Sequence, residues 1–197
     1  MKTLLVTLAD KNYLDQAKQL FSSVYFNAGW QGDYMLLAHE VPEKDLVWFR
    51  EKGILVKECE PLFQGKLVSG YPVTILDKFY LFTTEFKKWD NIVFLDADII
   101  VRYPLDKLGK VKGFNAVLDV NKIKLKHQFN YYVPDNLLYK NLAKKYKMNI
   151  RSFNVGVMAF SSDIIKENTF NELKELLNSY EKISLYTEQT LLNLYFY

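Results

Sequence analysis

The sequence predicts an α/β domain built from parallel βαβ units. Three observations carry this expectation. Short apolar runs of strand length alternate with segments of helical period through the first half of the chain. One run, residues 92–95, is wholly apolar, as a central strand covered on both faces must be. That run leads into Asp96-Ala97-Asp98, and sheets of this class bind ligands at the carboxyl ends of their strands.

Each element follows from its local pattern. Residues 3–8 are an apolar strand. Residues 13–26 carry Leu14, Ala17, Leu20, Phe21, Val24 and Tyr25 at helical spacing, and Gly29 and Gly32 end the pattern. Residues 34–38 read as a strand. Residues 42–52 read as a helix, with Pro42 near its start and Gly53 just past its end. Residues 54–57 form a third strand, and 76–89 are expected to be helical and aromatic. In the second half, 116–120 and 155–160 read as strands. Residues 134–147 and 161–180 read as helices, the second capped by Ser161 or Ser162. A last apolar helix runs from Thr187 to Tyr197. It needs a partner surface, supplied by this domain, by a second subunit of a homodimer, or by residues outside the chain.

Composition narrows the function classes. The 197 residues fit one domain, residues 1–197. A net charge of +3, with scattered cations, predicts no nucleic-acid footprint. No apolar run reaches the roughly 18 residues of a membrane span. The opening apolar stretch ends at Asp10 and Lys11 without a small-residue cleavage site, unlike a signal peptide. Cys59 is the only cysteine, which fits a reducing, cytoplasmic setting. It reads as a small buried hydrophobe.

Asp96 and Asp98 are the sharpest chemical feature. Two carboxylates one residue apart at a strand end offer hard oxygen ligands to Mg²⁺ or Mn²⁺, or form an acidic turn. Tyr13 offers a ring for a base to stack on, or a first core contact for its helix. Lys78 is a point charge for a phosphate, or a solvated helix lysine. Asp119 lies near the end of a strand, or starts a turn. Asn154 can bond a sugar hydroxyl, and Gly156 lets backbone approach a ligand or marks a bulge. Glu188 and Gln189 open the last helix, where a carboxylate also suits the helix dipole.

The segment Asn91-Ile92-Val93-Phe94-Leu95-Asp96-Ala97-Asp98-Ile99-Ile100-Val101, followed by Pro104-Leu105-Asp106, resembles the metal-binding segment of glycosyltransferase family eight. Glycogenin and bacterial lipopolysaccharide galactosyl- and glucosyltransferases belong to that family. Four further segments resemble it in order: Val6-Thr7-Leu8-Ala9 with Tyr13, Lys78-Phe79, Phe153-Asn154-Val155-Gly156-Val157-Met158, and Glu188-Gln189-Thr190-Leu191-Leu192-Asn193. The resemblance implies a GT-A-like, Rossmann-type mixed sheet with helices on both faces. It implies a metal-dependent retaining transferase that moves glucose or galactose from a UDP-sugar to a hydroxyl of a carbohydrate, protein or lipid-linked acceptor. Asp96 and Asp98 would hold Mn²⁺ or Mg²⁺. Leu8, Ala9, Tyr13, Lys78, Ala97 and Gly156 would contact the nucleotide, and Asp119, Asn154, Glu188 and Gln189 the sugar.

Two departures from the family pattern stand out. Position 188 is usually Asp, so Glu188 reaches one methylene further. The family's third metal ligand, a His in a C-terminal His-x-Gly-x-x-Lys-Pro-Trp segment, has no counterpart, since neither His39 nor His127 has that context. The chain is therefore expected to lack its C-terminal segment. Two alternatives use the same residues: a non-catalytic nucleotide-sugar-binding module, and a haloacid-dehalogenase-like phosphatase with Asp96 as nucleophile.

Overall fold

A computed structural model describes residues 1–120, 123–130 and 137–197. In order, its elements are β1 (Thr3–Ala9), α1 (Leu14–Asn27), β2 (Asp33–His39), α2 (Glu43–Glu51), β3 (Leu55–Cys59), β4 (Asn91–Leu95), β5 (Phe114–Leu118), α3 (Leu137–Lys145), β6 (Phe153–Ser161), α4 (Thr169–Tyr180) and α5 (Glu188–Phe196). The strands form one six-stranded sheet in the order β3-β2-β1-β4-β6-β5. The first four in that row are parallel, and β6 runs antiparallel to both β4 and β5. The sheet is thus mixed, as expected.

Period-two alternation makes the layers. Leu4, Val6, Ile92 and Phe94 face a core closed by α4, α5 and the segment Val73–Phe82. Leu5, Val93 and Leu95 face the opposite core, closed by α1 and α2. All five residues of β4 are buried, so its continuous apolar run is explained by helices on both faces. α1 contributes Leu14, Ala17, Leu20, Phe21 and Val24. α2 contributes Leu46 and Phe49, with Pro42 as its N-cap. Gly53 ends it at φ 73°, a conformation only glycine adopts without strain, while Ile54 donates its N–H back to the Phe49 carbonyl (2.9 Å).

Three expected elements differ. Residues 76–89 are not one α-helix but two runs of 3-10 turns, Val73–Phe82 and Thr84–Lys88, separated by extended Thr83. Leu76, Phe79 and Phe82 recur every three residues and are all buried, a spacing that suits the tighter helix. Thr83 Oγ1 also bonds the Tyr80 carbonyl (2.9 Å), competing with a continued ladder. The helix expected from residue 161 starts only at Thr169. Ser161 is instead the last residue of β6, and its hydroxyl accepts the Gly113 N–H (2.9 Å) rather than capping a helix. β5 ends at Leu118, two residues early, after a register irregularity between Ala116 and Val117. Of the helix expected over 134–147, residues 134–136 lie outside the described residues.

α5 finds its partner within this chain. Leu191, Leu192 and Leu194 belong to the core beside α4 and β6. Asn193 clamps α5 to β6, accepting the Phe153 N–H and donating to its carbonyl, both at 2.9 Å. No helix among the described residues is long and apolar enough to cross a membrane.

Candidate active site

β1 sits where the sheet changes direction of growth. β2 follows it on one side and β4 flanks it on the other, so the loops after β1 and β4 diverge and leave a crevice. A pocket of about 370 Å³ occupies that crevice. Leu8, Ala9 and Tyr13 line it from β1 and the following turn, and Asp96, Ala97 and Asp98 from the end of β4. Lys78 comes from the 3-10 segment, Asn154 and Gly156 from β6, and Glu188 and Gln189 from the first turn of α5. Eleven of the twelve sequence-predicted site residues therefore meet around one cavity.

Asp119 is the one outside its lining, and hydrogen bonds connect it to the rest. Asp96 donates its N–H to the Gly156 carbonyl (2.8 Å), and Gly156 donates its own to Asn154 Oδ1 (2.7 Å). Asn154 Nδ2 donates to Gln189 Oε1 (3.2 Å), and Gln189 Nε2 donates to Asp119 Oδ2 (3.1 Å). Gln128 Nε2 (3.3 Å) and Ser152 Oγ (3.4 Å) complete the cradle of Asp119. A side chain on Gly156 would break this relay. Its Cβ would stand 2.6 Å from Asp96 Oδ2, a distance that forces the carboxylate to move.

Lys78 is not a solvated helix lysine. It is buried, with its Nζ 3.1 Å from Asp96 Oδ1 and 3.3 Å from Glu188 Oε1, above the ring of Phe94. Burial pushes its ammonium down, but the Glu188 and Asp96 carboxylates outweigh that, so it is held above the usual lysine range. Burial pushes Glu188 up, Lys78 opposes the shift, and Asp96 adds to it. The residue before it, Thr187, is fully buried at φ 34° and donates to Ser69 Oγ (2.7 Å). This strained turn, costing on the order of 1–3 kcal/mol, presents Glu188 and Gln189 to the pocket. Tyr13 is half exposed, so it is not a core contact.

Sequence reasoning missed Asp10, Tyr71, Pro72, Thr74, Ile75 and Tyr186, which also line the pocket. Asp10 was legible as the last acid before the first helix. Tyr71 and Pro72 belong to an irregular loop with no period to reveal which way it folds.

The residues fit a divalent ion, within a limit. The pocket brings Asp10, Asp96, Asp98 and Glu188 together with one cation, Lys78, so its carboxylates outnumber its ammonium by three. Asp98 is exposed and has no hydrogen bond or ion pair among the described residues, which leaves its oxygens open to a ligand. Hard oxygens are the right donors for Mg²⁺ or Mn²⁺. Among the described residues, however, no group of three or more His, Cys, Asp or Glu side chains could hold a metal. His39 does not add a third ligand. It ends β2, is buried, and bonds Asp77 Oδ2 through Nδ1 at 2.7 Å. His127 is exposed in a 3-10 turn.

This sheet order, with an acidic strand end at the point of divergence, is the architecture of GT-A glycosyltransferases. The profile of glycosyl transferase family 8 matches residues 4–197, and the chain belongs to that family. Solved structures agree on the fold. The chain is similar to a bifunctional glycosyltransferase, WbbM, in its apo form, at 19% identity and a TM-score of 0.65. The match covers 100% of this chain and 37% of that one. It is similar to an active-site mutant of LgtC at 18% identity and a TM-score of 0.73, over 98% of this chain and 70% of that one. The galactosyltransferase LgtC in complex with donor and acceptor sugar analogues gives a TM-score of 0.66 at 18% identity, with the same coverages of 98% and 70%. Among curated proteins, none matches.

Proposed function

We propose that this chain transfers a hexosyl unit, glucose or galactose, from a UDP-sugar to a hydroxyl acceptor with retention of anomeric configuration. The carrying observation is the convergence of eleven predicted residues from five separate segments on one acid-rich pocket, in a member of this family. The solved complex of LgtC with donor and acceptor sugar analogues supports a sugar donor and a sugar acceptor.

Asp96 and Asp98 would hold Mn²⁺ or Mg²⁺, which when bound neutralises charge on the diphosphate. Leu8 and Ala9 supply backbone at the end of β1, and Tyr13 an exposed ring, for the uracil. Lys78, fixed between Asp96 and Glu188, offsets part of the acidic wall's charge and leaves the rest for a bridging metal. Asn154 and Gln189, already bonded to each other, orient donor hydroxyls, with Asp119 fixing the Gln189 amide. In the reaction the bond from the anomeric carbon to the phosphate oxygen breaks, and the acceptor oxygen bonds to the same face. Its proton leaves to the departing phosphate, and UDP is released. The sugar passes through an oxocarbenium-like state that the pocket's carboxylates stabilise.

A screen of UDP-sugars for hydrolysis in Mn²⁺ tests donor, metal and competence without the acceptor. Release of UDP from one UDP-hexose, abolished by EDTA, is the expected result. Binding of UDP without turnover of any donor would favour the second reading, a non-catalytic nucleotide-sugar-binding module. That reading draws on the two-carboxylate metal site. The fold and family do not favour the phosphatase alternative.

A further inference from the structure

The cations, expected to be scattered, are in fact segregated along this chain. Between residues 121 and 152 there are eight cations and one acid, a surplus of seven. The chain's net charge is +3, so the remainder carries a net −4. Among the described residues, these cations gather on one flank. Lys124 and Arg151 face each other across an antiparallel bridge, and Lys126 follows, its N–H bonded to the Met148 carbonyl (3.0 Å). α3 adds Lys140, Lys144 and Lys145, and Lys147 lies just beyond its end. All but Lys126 are exposed, and none of the seven forms a salt bridge among the described residues.

Exposed aliphatic side chains border them. Val117 and Leu118 close β5, the outermost strand, and Val120 follows; they are 56%, 44% and 72% exposed. Leu137, which opens α3, is 67% exposed. Val117 is the register partner of Asn154 in the pocket wall, so this flank adjoins the pocket.

We propose that this flank docks on an anionic phospholipid bilayer and holds the pocket beside the membrane surface. Lysines that form no salt bridge among the described residues attract a diffuse negative surface, and neighbouring aliphatics enter the headgroup boundary. Six of the seven cations are lysines, point charges without the planar fork that arginine uses for paired recognition. A single-stranded nucleic acid would also call for exposed rings to stack on, whereas among the described residues of this flank the exposed apolar groups are aliphatic. A lipid-linked acceptor would be delivered to a pocket held this way. That extension rests on the transferase reading; the docking itself does not.

The test is flotation of the 197-residue chain with vesicles. One set is phosphatidylcholine alone, and the other a two-to-one mixture with phosphatidylglycerol, both at about 0.1 M salt, where the screening length is about 10 Å. Binding is expected only to the anionic set, and is lost in high salt. Lys124→Gln, Lys140→Gln, Lys144→Gln and Lys147→Gln together should weaken it more than a hundredfold, at about fivefold for each charge. Lys44→Gln, Lys52→Gln and Lys107→Gln, exposed elsewhere, should leave it unchanged. Val120→Ser with Leu137→Ser should weaken vesicle binding about tenfold and not alter any binding to single-stranded DNA. Equal binding to neutral vesicles, no binding to anionic ones, or full binding by the quadruple variant overturns the proposal. So does tighter binding to single-stranded DNA than to anionic vesicles, which would make the flank a soluble-polyanion surface.

Discussion

The pocket and the basic flank lie side by side across β6 and handle charge in opposite ways. In the pocket, Lys78 is buried between Asp96 and Glu188, and the surplus is negative. On the flank, all the described cations but half-buried Lys126 are exposed, none forms a salt bridge, Lys145 lies 5.3 Å from the Tyr146 ring, and the surplus is positive. Burial makes the difference. An ion removed from water must be paired and hydrogen-bonded, so Lys78 and Glu188 are fixed against each other and Asp96, while exposed Asp98 is left open to a ligand. An exposed ion needs no partner, so the flank's lysines are held only by their helix and their bridge. Pocket charges should therefore be individually indispensable, and flank charges should act only as a sum.

Substitutions sharpen that contrast. Asp98→Asn should have the largest effect. It keeps the shape of the side chain and removes a charge that would hold the metal, so metal-dependent release of UDP should fall about a thousandfold with melting unchanged. Retained turnover in a folded variant would make the pair a mere turn. Lys78→Met comes next. It leaves Glu188 buried beside Asp96 without a counter-charge, and should cost about 3 kcal/mol of stability at neutral pH. Urea unfolding at two pH values checks this, because the deficit must shrink in acid as Glu188 takes up a proton.

Asp77 tests buried charge away from the reaction. Burial raises its carboxyl from 3.8 to about 6, with His39 opposing and Glu40 adding, and its Oδ1 has no hydrogen-bond partner among the described residues. A carboxyl raised by folding stabilises the protein only while protonated, so its contribution falls as pH rises from about 4 to about 6. Asp77→Asn should remove that dependence and gain about 3 kcal/mol on the parent across the window, at about 1.4 kcal/mol per pH unit. A parallel pair of stability curves would contradict it. Gly156→Ala is a smaller lesion. The added methyl displaces Asp96 by about an ångström or less, so turnover should fall about a hundredfold and UDP affinity in Mn²⁺ should weaken with it. The smallest effect belongs to the flank: the quadruple lysine variant should bind UDP as the parent does.

How much of this was legible in the sequence follows the same division. β1, β4 and the helices between the early strands were readable because each buries a face whose period is local. Asp96 and Asp98 were readable because the apolar run of β4 points straight at them. Ser161 was misread as a cap because its true partner, Gly113, lies far off in sequence. Lys78 read locally as a phosphate ligand or a solvated lysine and only the family resemblance placed it at the nucleotide, since nothing local shows that Glu188, 110 residues away, will fold against it. The role of Asn193 in clamping Phe153 was hidden for the same reason. Local pattern specifies faces and turns, and tertiary pairing specifies which polar residues are buried.

The central claim is that the acidic pocket takes a diphosphate only when a divalent ion bridges it. Calorimetry of UDP with the full chain, in Mn²⁺ and in EDTA, tests this most directly. The pocket's surplus of negative charge predicts weak or undetectable binding in EDTA and tight binding in Mn²⁺, with the gain abolished in Asp98→Asn. Equal affinity in both buffers would contradict it.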